Sequence, residues 1–318
     1  MYDEPPPMPP PQEPAPIEPP YWFEEALRNT PTSHQLQVMD CDINYLRWGP
    51  EASSRPGILF IHGASAHAHW WDFIAPFFAA DRSIAAIDLS GMGDSGWRES
   101  YGSKVHVPEI AAVLDATKLG EKPIIVGHSF GGFMTMCYAH AHAGELSGAV
   151  IVDSPLRPEN RPTGEKPRLY DPPKRPPNRV YTDKDEMVYR FRPIPPQFCD
   201  NEYIVEHIAR HSLKECEGGY TWKFDTTARV SGLHDEPLED YLRQLACPKA
   251  MIYGDESAIF WPGRGGLHVP HIRHRQSHDR YSRCPAPFNH GSAAGIRHRP
   301  ACHFRGLGCL SGNSTRWY

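Results

Sequence analysis

No stretch of this sequence is apolar for long enough to span a bilayer, and its start lacks the basic-then-apolar pattern of a secretory signal. Both absences make the cytoplasm the expected location and give no reason to expect a membrane as partner. Excess charge of one sign is also missing: 33 Lys and Arg against 38 Asp and Glu leave a formal charge of -5. So small a balance offers no electrostatic footprint for nucleic acid. Close cysteine pairs are absent from the body of the chain. Cys41, Cys137, Cys199, Cys216 and Cys247 are scattered, which argues against a zinc or redox site and agrees with a reducing compartment.

What is present is the composition of a soluble globular protein, with 40% hydrophobic and 11% aromatic residues in 318. That length can bury one large core, or a core plus an inserted lid. Residues 4–20 are mostly proline with a few acids, and the opening reads as a disordered or polyproline-II leader.

From Gln35 the pattern turns strand-like. Residues 35–39 and 42–47 predict an opening hairpin, and short apolar runs follow at 57–61, 84–87, 123–126, 149–152 and 250–253. Continuous apolar runs of this length mark strands covered on both faces, as in a parallel sheet. Helical patterns fall between them, at 107–117 and 133–143 among others. Strands alternating with helices predict an α/β fold with a doubly wound, mostly parallel sheet.

Residues 155–240 break the alternation. A proline- and arginine-rich loop leads into helix-like pieces at 183–189 and 203–211. An insertion after the sixth strand lies above the strand carboxyl ends, where a cap covers a site in an open α/β sheet. The expected division is therefore 1–20 leader, 21–154 core, 155–240 cap, 241–260 returning core strand and 261–318 tail.

The chemistry-bearing pattern is Gly127-His128-Ser129-Phe130-Gly131. As a bare string it arises by chance about once in ten chains of this length. Here it follows an apolar strand and opens a helix, which is the context the motif requires. A serine on such a turn is exposed, small neighbours let the backbones approach, and the helix start offers free N–H groups. Trp70 and Trp71, at helical spacing to Ile74 and Phe78, read as core or pocket wall.

The series His62-Gly63, then Asp88, Gly91, Gly93-Asp94-Ser95, then Gly127-His128-Ser129-Phe130-Gly131-Gly132 resembles the α/β-hydrolase superfamily, from the opening hairpin to about Phe260. The resemblance implies a Ser–acid–His triad with Ser129 as nucleophile. It also implies an oxyanion hole whose amides, by position, belong to Ala64 and Phe130. Serine at 129 separates the chain from the similar epoxide hydrolases and haloalkane dehalogenases, which place aspartate there.

In most of the superfamily the acid lies three or four residues beyond the glycine ending strand seven. Taking that glycine as Gly254, those positions hold Ser257 and Ala258, and neither can serve. The other known placement follows strand six, where this chain has Asp153. Asp153 is favoured as the acid, and Asp255 is the alternative, since triads are recognised by geometry rather than order.

The histidine belongs after strand eight, and the sequence beyond Phe260 does not offer that context. Residues 261–318 hold nine arginines, no lysine and one acid, Asp279, so the charge is -13 before Trp261 and +8 from there on. A GC-rich gene read out of frame yields such composition. Moving each codon boundary one base to the right permits a string containing DAQHHLIMDQPLAFVTALRAIFEAW, with a His, then an acid and a proline, then an amphipathic closing helix. A frameshift close to Phe260 and Trp261 is the expectation. His271, His274 and His278 have metal-like spacing but no carboxylate partner.

The expected function is hydrolysis of an ester or related acyl bond of a small, partly apolar substrate, without metal or cofactor, in a chain impaired by its missing His segment. Alternatives are a non-catalytic ligand-binding protein of the same fold and a carbon–carbon bond hydrolase. Cap aromatics Tyr189, Phe191, Tyr203 and Trp222 either hold the cap together or line its pocket.

Overall fold

The computed structural model describes residues 18–156, 177–193, 199–226, 229–230 (backbone only), 236–254 and 257. Seven strands form the main sheet: β1 Thr32–Val38, β2 Cys41–Trp48, β3 Ile58–Ile61, β4 Ile84–Ile87, β5 Ile124–His128, β6 Gly148–Val152 and β7 Lys249–Ile252. Their spatial order is β1-β2-β4-β3-β5-β6-β7. The β1–β2 hairpin is antiparallel, β2 runs antiparallel to β4, and every later pairing is parallel. The expected α/β, mostly parallel sheet is present.

Alternation along the strands sorts side chains to two faces. Leu59 and Ile61 of β3, Ala85 and Ile87 of β4, and Ile43 and Tyr45 of β2 join one apolar cluster. Helices α2 (Ser103–Thr117) and α3 (Phe130–His142) cover it with Ile110, Val113, Met134 and Tyr138. Ile58 and Phe60, Ile84 and Ala86, Leu46 and Trp48 point the other way. There two short 3₁₀ helices, Ala68–Trp71 and Ala75–Phe78, replace the regular helix that the spacing of Trp70 to Phe78 suggests. Pro76 lacks the N–H that a continuous α-helix would need. Trp71 stacks on Phe60 at 4.6 Å between ring centroids, so this tryptophan is core.

One helix was not anticipated: α1 (Tyr21–Arg28) follows directly on Pro20 and buries Phe23 and Ala26. Its partners come from the segment after β3, through Phe73 and Phe77, and from between β6 and β7, where α4 (Lys184–Tyr189) and α5 (Glu202–His211) match the two predicted helical pieces. Asp183 caps α4 by accepting from the amides of Asp185 and Glu186, as an N-cap carboxylate should. Tyr203 of α5 meets Phe23 at 4.8 Å, and Ile208 joins Phe23, Ala26 and Phe73. A ribbon of Leu213–Cys216 and Gly219–Trp222 follows, and α6 (Leu238–Gln244) packs with Leu242 in the main cluster before β7. No helix among the described residues is long and apolar enough to cross a membrane.

A buried carboxylate organises the loop after β4. Asp88 is fully buried; Oδ1 accepts from the Ala68 amide at 2.6 Å, and Oδ2 from Asn44 Nδ2 at 2.8 Å and the Asp94 amide at 2.9 Å. Gly93, at φ +61°, is required there because a Cβ would overlap the Asp88 carboxyl. Ser95 donates to the Asp88 carbonyl at 2.6 Å and accepts from the Asn44 amide at 2.8 Å. The Asp88…Gly93-Asp94-Ser95 series is thus a brace that ties the end of β4 to β2 and to the segment after β3.

Candidate active site

Ser129 lies between β5 and α3 with φ +50° and ψ -114°, a conformation costly for any side-chain-bearing residue. The neighbours hold it there. Its amide donates to the Val152 carbonyl at 2.8 Å, and its own carbonyl accepts from Ser154 Oγ at 2.8 Å and the Gly132 amide at 2.9 Å. Strain of roughly 1–3 kcal/mol is the expected cost of such a backbone. The surrounding hydrogen bonds offset it. The residue is neither sealed nor fully exposed.

The glycines flanking Ser129 are explained by contact. A Cβ on Gly131 would come 2.5 Å from the carbonyl oxygens of both Ile61 and His62, and one on Gly127 would strike the Gly131 carbonyl and Thr135. At Gly132 a Cβ would overlap Ser154. Small residues therefore let α3 start against the ends of β3 and β6.

On the β3 side, an ideal Cβ at Gly63 would lie 3.4 Å from Ser129 Cβ and 3.0 Å from His128 Nδ1. The loop that continues to Ala64 thus passes directly beside the serine. Ala64 is exposed, while Phe130 is buried at the first turn of α3. Among the described residues neither amide donates to a protein acceptor. Unpaired amides on two sides of one hydroxyl-bearing residue can hold a developing oxyanion.

Buried His62 supports this loop in a defined tautomer. The Leu89 amide donates to Nε2 at 3.1 Å, so the proton is on Nδ1, which donates to the Gly63 carbonyl at 2.7 Å. Burial pushes its pKa down, opposed by Asp88 and the Gly63 carbonyl. His128 is likewise lowered by burial, with the Asp153 charge acting the other way. Trp70 stacks beside His128 at 6.2 Å and also packs against the Phe23–Phe73–Ile208 cluster.

Asp153 ends β6, at φ +47°, and its amide donates to the Ile252 carbonyl at 2.7 Å. Val152 and Ser154, on either side of it, are the residues that clamp Ser129. Its Oδ2 accepts from Ser257 Oγ at 2.9 Å, whereas Oδ1 is buried with no partner among the described residues. Ser154 and Ser257 were not singled out from the sequence, because neither contact is local. Asp255 and all histidines from His268 on lie outside the described residues. Of the aromatics expected in a cap, Phe191 packs on Trp222 at 6.0 Å, Tyr203 holds α5 to α1, and Tyr189 is 77% exposed.

Comparison with known proteins bears on this arrangement. A family profile described as "Alpha/beta hydrolase family" matches residues 58–283. Lipase LipV of Mycobacterium tuberculosis is 35% identical over 116 residues, covering 36% of this chain and 42% of that protein. Esterase Rv0045c of the same organism is 33% identical over 131 residues, covering 41% and 42%. This chain therefore spans less than half the length of either relative. Among solved structures, the thioesterase domain from the curacin biosynthetic pathway superposes with a TM-score of 0.60 at 22% identity, covering 74% of this chain and 86% of that one. At that identity the likeness speaks to fold.

Proposed function

The chain belongs to the α/β-hydrolase family, and from that membership we propose that it is a serine hydrolase acting on an ester or related acyl bond of a small, partly apolar substrate. The observation that carries the reading is the Ser129 backbone, held at positive φ between a buried strand and a helix and clamped by both neighbours of Asp153. In this reading Ser129 Oγ attacks the acyl carbon and a histidine takes its proton. Asp153 orients that histidine through Oδ1, and the amides of Ala64 and Phe130 hold the oxyanion. The lipase and esterase names of the relatives favour acyl chemistry. Residues 155–240 serve as the cap.

The base histidine falls beyond β7, where the sequence turns basic and rich in Arg, His and Pro. A chain whose base segment is scrambled loses on the order of a millionfold in turnover. Oxyanion and binding contacts leave a residual rate of roughly 10³-fold over water.

A fluorophosphonate probe tests the reading. We also propose that the sequence beyond Phe260 is out of frame; labelling of a chain recoded there in the alternative frame (the frame-restored chain), abolished by Ser129→Ala, is the expected result. A folded, frame-restored chain that takes no label is a binding protein rather than an enzyme.

A further inference from the structure

Away from Ser129, the segment after β3 meets α5 in a cluster of imidazoles around one carboxylate. His69 and Asp72 stand three residues apart at the first 3₁₀ helix, and His207 and His211 stand one turn apart on α5, so each pair shares a face. Asp72 has a side chain only 7% exposed. Its Oδ2 accepts from His69 Nδ1 and from His207 Nε2, both at 2.9 Å. Its Oδ1 is buried and has no partner among the described residues. A carboxylate oxygen buried without a donor calls for an occupant.

The tautomers point the same way. His69 spends its Nδ1 proton on Asp72, and His211 donates Nδ1–H to the His207 carbonyl at 2.8 Å. His211 is left with a lone pair on Nε2, the usual state of a metal-ligating histidine whose other nitrogen is anchored to a backbone carbonyl. At His69 an ion would take the place of the Nδ1 proton, between the ring and the Asp72 carboxylate it already faces at 2.9 Å. One ligand atom from each of His69, Asp72 and His211 lies within 4.8 Å of the others. A tetrahedral ion at about 2.0–2.1 Å from each requires ligand atoms roughly 3.4 Å apart, a closure of at most about 1.4 Å.

We propose that His69, Asp72 and His211 form a binding site for a divalent transition metal ion of the zinc class, with His207 fixing the Asp72 carboxylate. Two imidazoles and one carboxylate suit zinc, cobalt(II) or nickel(II) rather than magnesium or calcium. The four residues line a cavity of about 290 Å³ together with Leu27 and Asn29. That space accommodates a water as fourth ligand. Bound there, the ion would cross-link α5 to the segment that follows β3. Sequence reading missed the site because its two halves are 135 residues apart, and the histidine spacing it did note, His271 to His278, lies outside the described residues.

The test uses the full chain, stripped with a chelator and titrated with Zn²⁺ by calorimetry, with thermal melts in parallel. Zn²⁺ is expected to raise Tm, and Mg²⁺ at the same concentration to leave it unchanged. Asp72→Asn and His211→Ala should each lose one equivalent of bound zinc per chain along with the Tm rise. Substituting His271, His274 and His278 together by Gln should keep both. Asp72→Asn preserves shape, and His211 lies in the last turn of α5, so at least one variant remains folded for measurement. Zinc binding and a Tm rise that survive both single substitutions overturn the site. So does the absence of any Tm shift in the parent chain at about 100 μM free Zn²⁺, since a ligand that binds the native state must stabilise it.

Discussion

Ser257 Oγ donates to Asp153 Oδ2 at 2.9 Å, which joins the loop after β7 to the end of β6. Ser257 stands three residues beyond Gly254, and the Ser257 amide donates back to the Gly254 carbonyl at 3.0 Å. The carboxylate thus comes from the β6 end, and a hydroxyl reaches it from the β7 end. One oxygen of Asp153 is committed to that hydroxyl; Oδ1, buried and without a partner among the described residues, is where the proposed triad would seat its imidazole. In the frame-restored chain, Asp153→Asn should lower turnover about 10⁴-fold by presenting the histidine in the wrong tautomer. Ser257→Ala removes one hydrogen bond of about 1 kcal/mol and should cost about fivefold. Asp255→Asn should leave turnover unchanged. A large loss at Asp255 with none at Asp153 moves the acid to the β7 side.

Much of this arrangement was legible in the sequence because its signals are local. Apolar runs at 57–61, 84–87 and 149–152 are strands within one residue at each end, and the placement of Ser129 between a strand and a helix is as read. Asp153 could be singled out because it directly follows a recognisable strand. What escaped depends on residues far apart in the chain. Helix α1 is only eight residues long, directly follows the proline-rich leader, and gains its burial from Phe73, Tyr203 and Ile208, far along the chain. Ser154 matters because Gly132 leaves room for it, and Ser257 because β7 adds beside β6. The His69–Asp72–His207–His211 cluster needs α5 to land on the segment after β3. No short-range pattern encodes that landing.

The elbow glycines give a second prediction. A methyl at Gly131 would press on the carbonyls of Ile61 and His62, and nothing flexible is available to yield. Gly131→Ala should destabilise the protein by about 1–3 kcal/mol through overpacking. It should also abolish fluorophosphonate labelling of the frame-restored chain, because α3 must back away from β3. A denaturant melt and a labelling gel on the same sample check both. Full labelling with unchanged stability would show that the close approach is not needed.

Asp88 gives a third. Its carboxylate accepts from three donors in a fully buried position, linking β2, β4 and the start of the first 3₁₀ helix. Asp88→Ala leaves those donors unpaired and should cost at least about 3 kcal/mol. Asp94→Ala, which alters an exposed side chain but keeps the amide donor, should cost far less, about the value of its surface ion pair with Lys223. Equal effects of the two substitutions in urea melts would refute the brace.

The last prediction concerns acid. His62 has both ring nitrogens engaged only when neutral: Nε2 accepts from the Leu89 amide, and Nδ1 donates to the Gly63 carbonyl. Protonating Nε2 sets one N–H against another in a fully buried place. Burial holds its pKa below the ordinary 6.5, with Asp88 and the Gly63 carbonyl opposing and His106 and His128 adding to the depression. The unfolded chain therefore binds a proton that the folded chain refuses, and stability must fall as pH drops below about 6.5. Glu109 behaves differently. Burial acts to raise its carboxyl, but donation from His106 and Ser90 outweighs it and holds the group below the ordinary 4.5. Its contribution stays intact until the pH falls below that value. Thermal melts should show Tm declining between about pH 6.5 and pH 5, before any carboxylate loss. His62→Gln should lower Tm at neutral pH and remove part of that decline, the rest coming from His67, His128 and His211, whose pKa values burial also lowers. A parent Tm that holds level from about pH 8 to about pH 5 would mean that His62 accepts a proton without opening the loop beside Ser129.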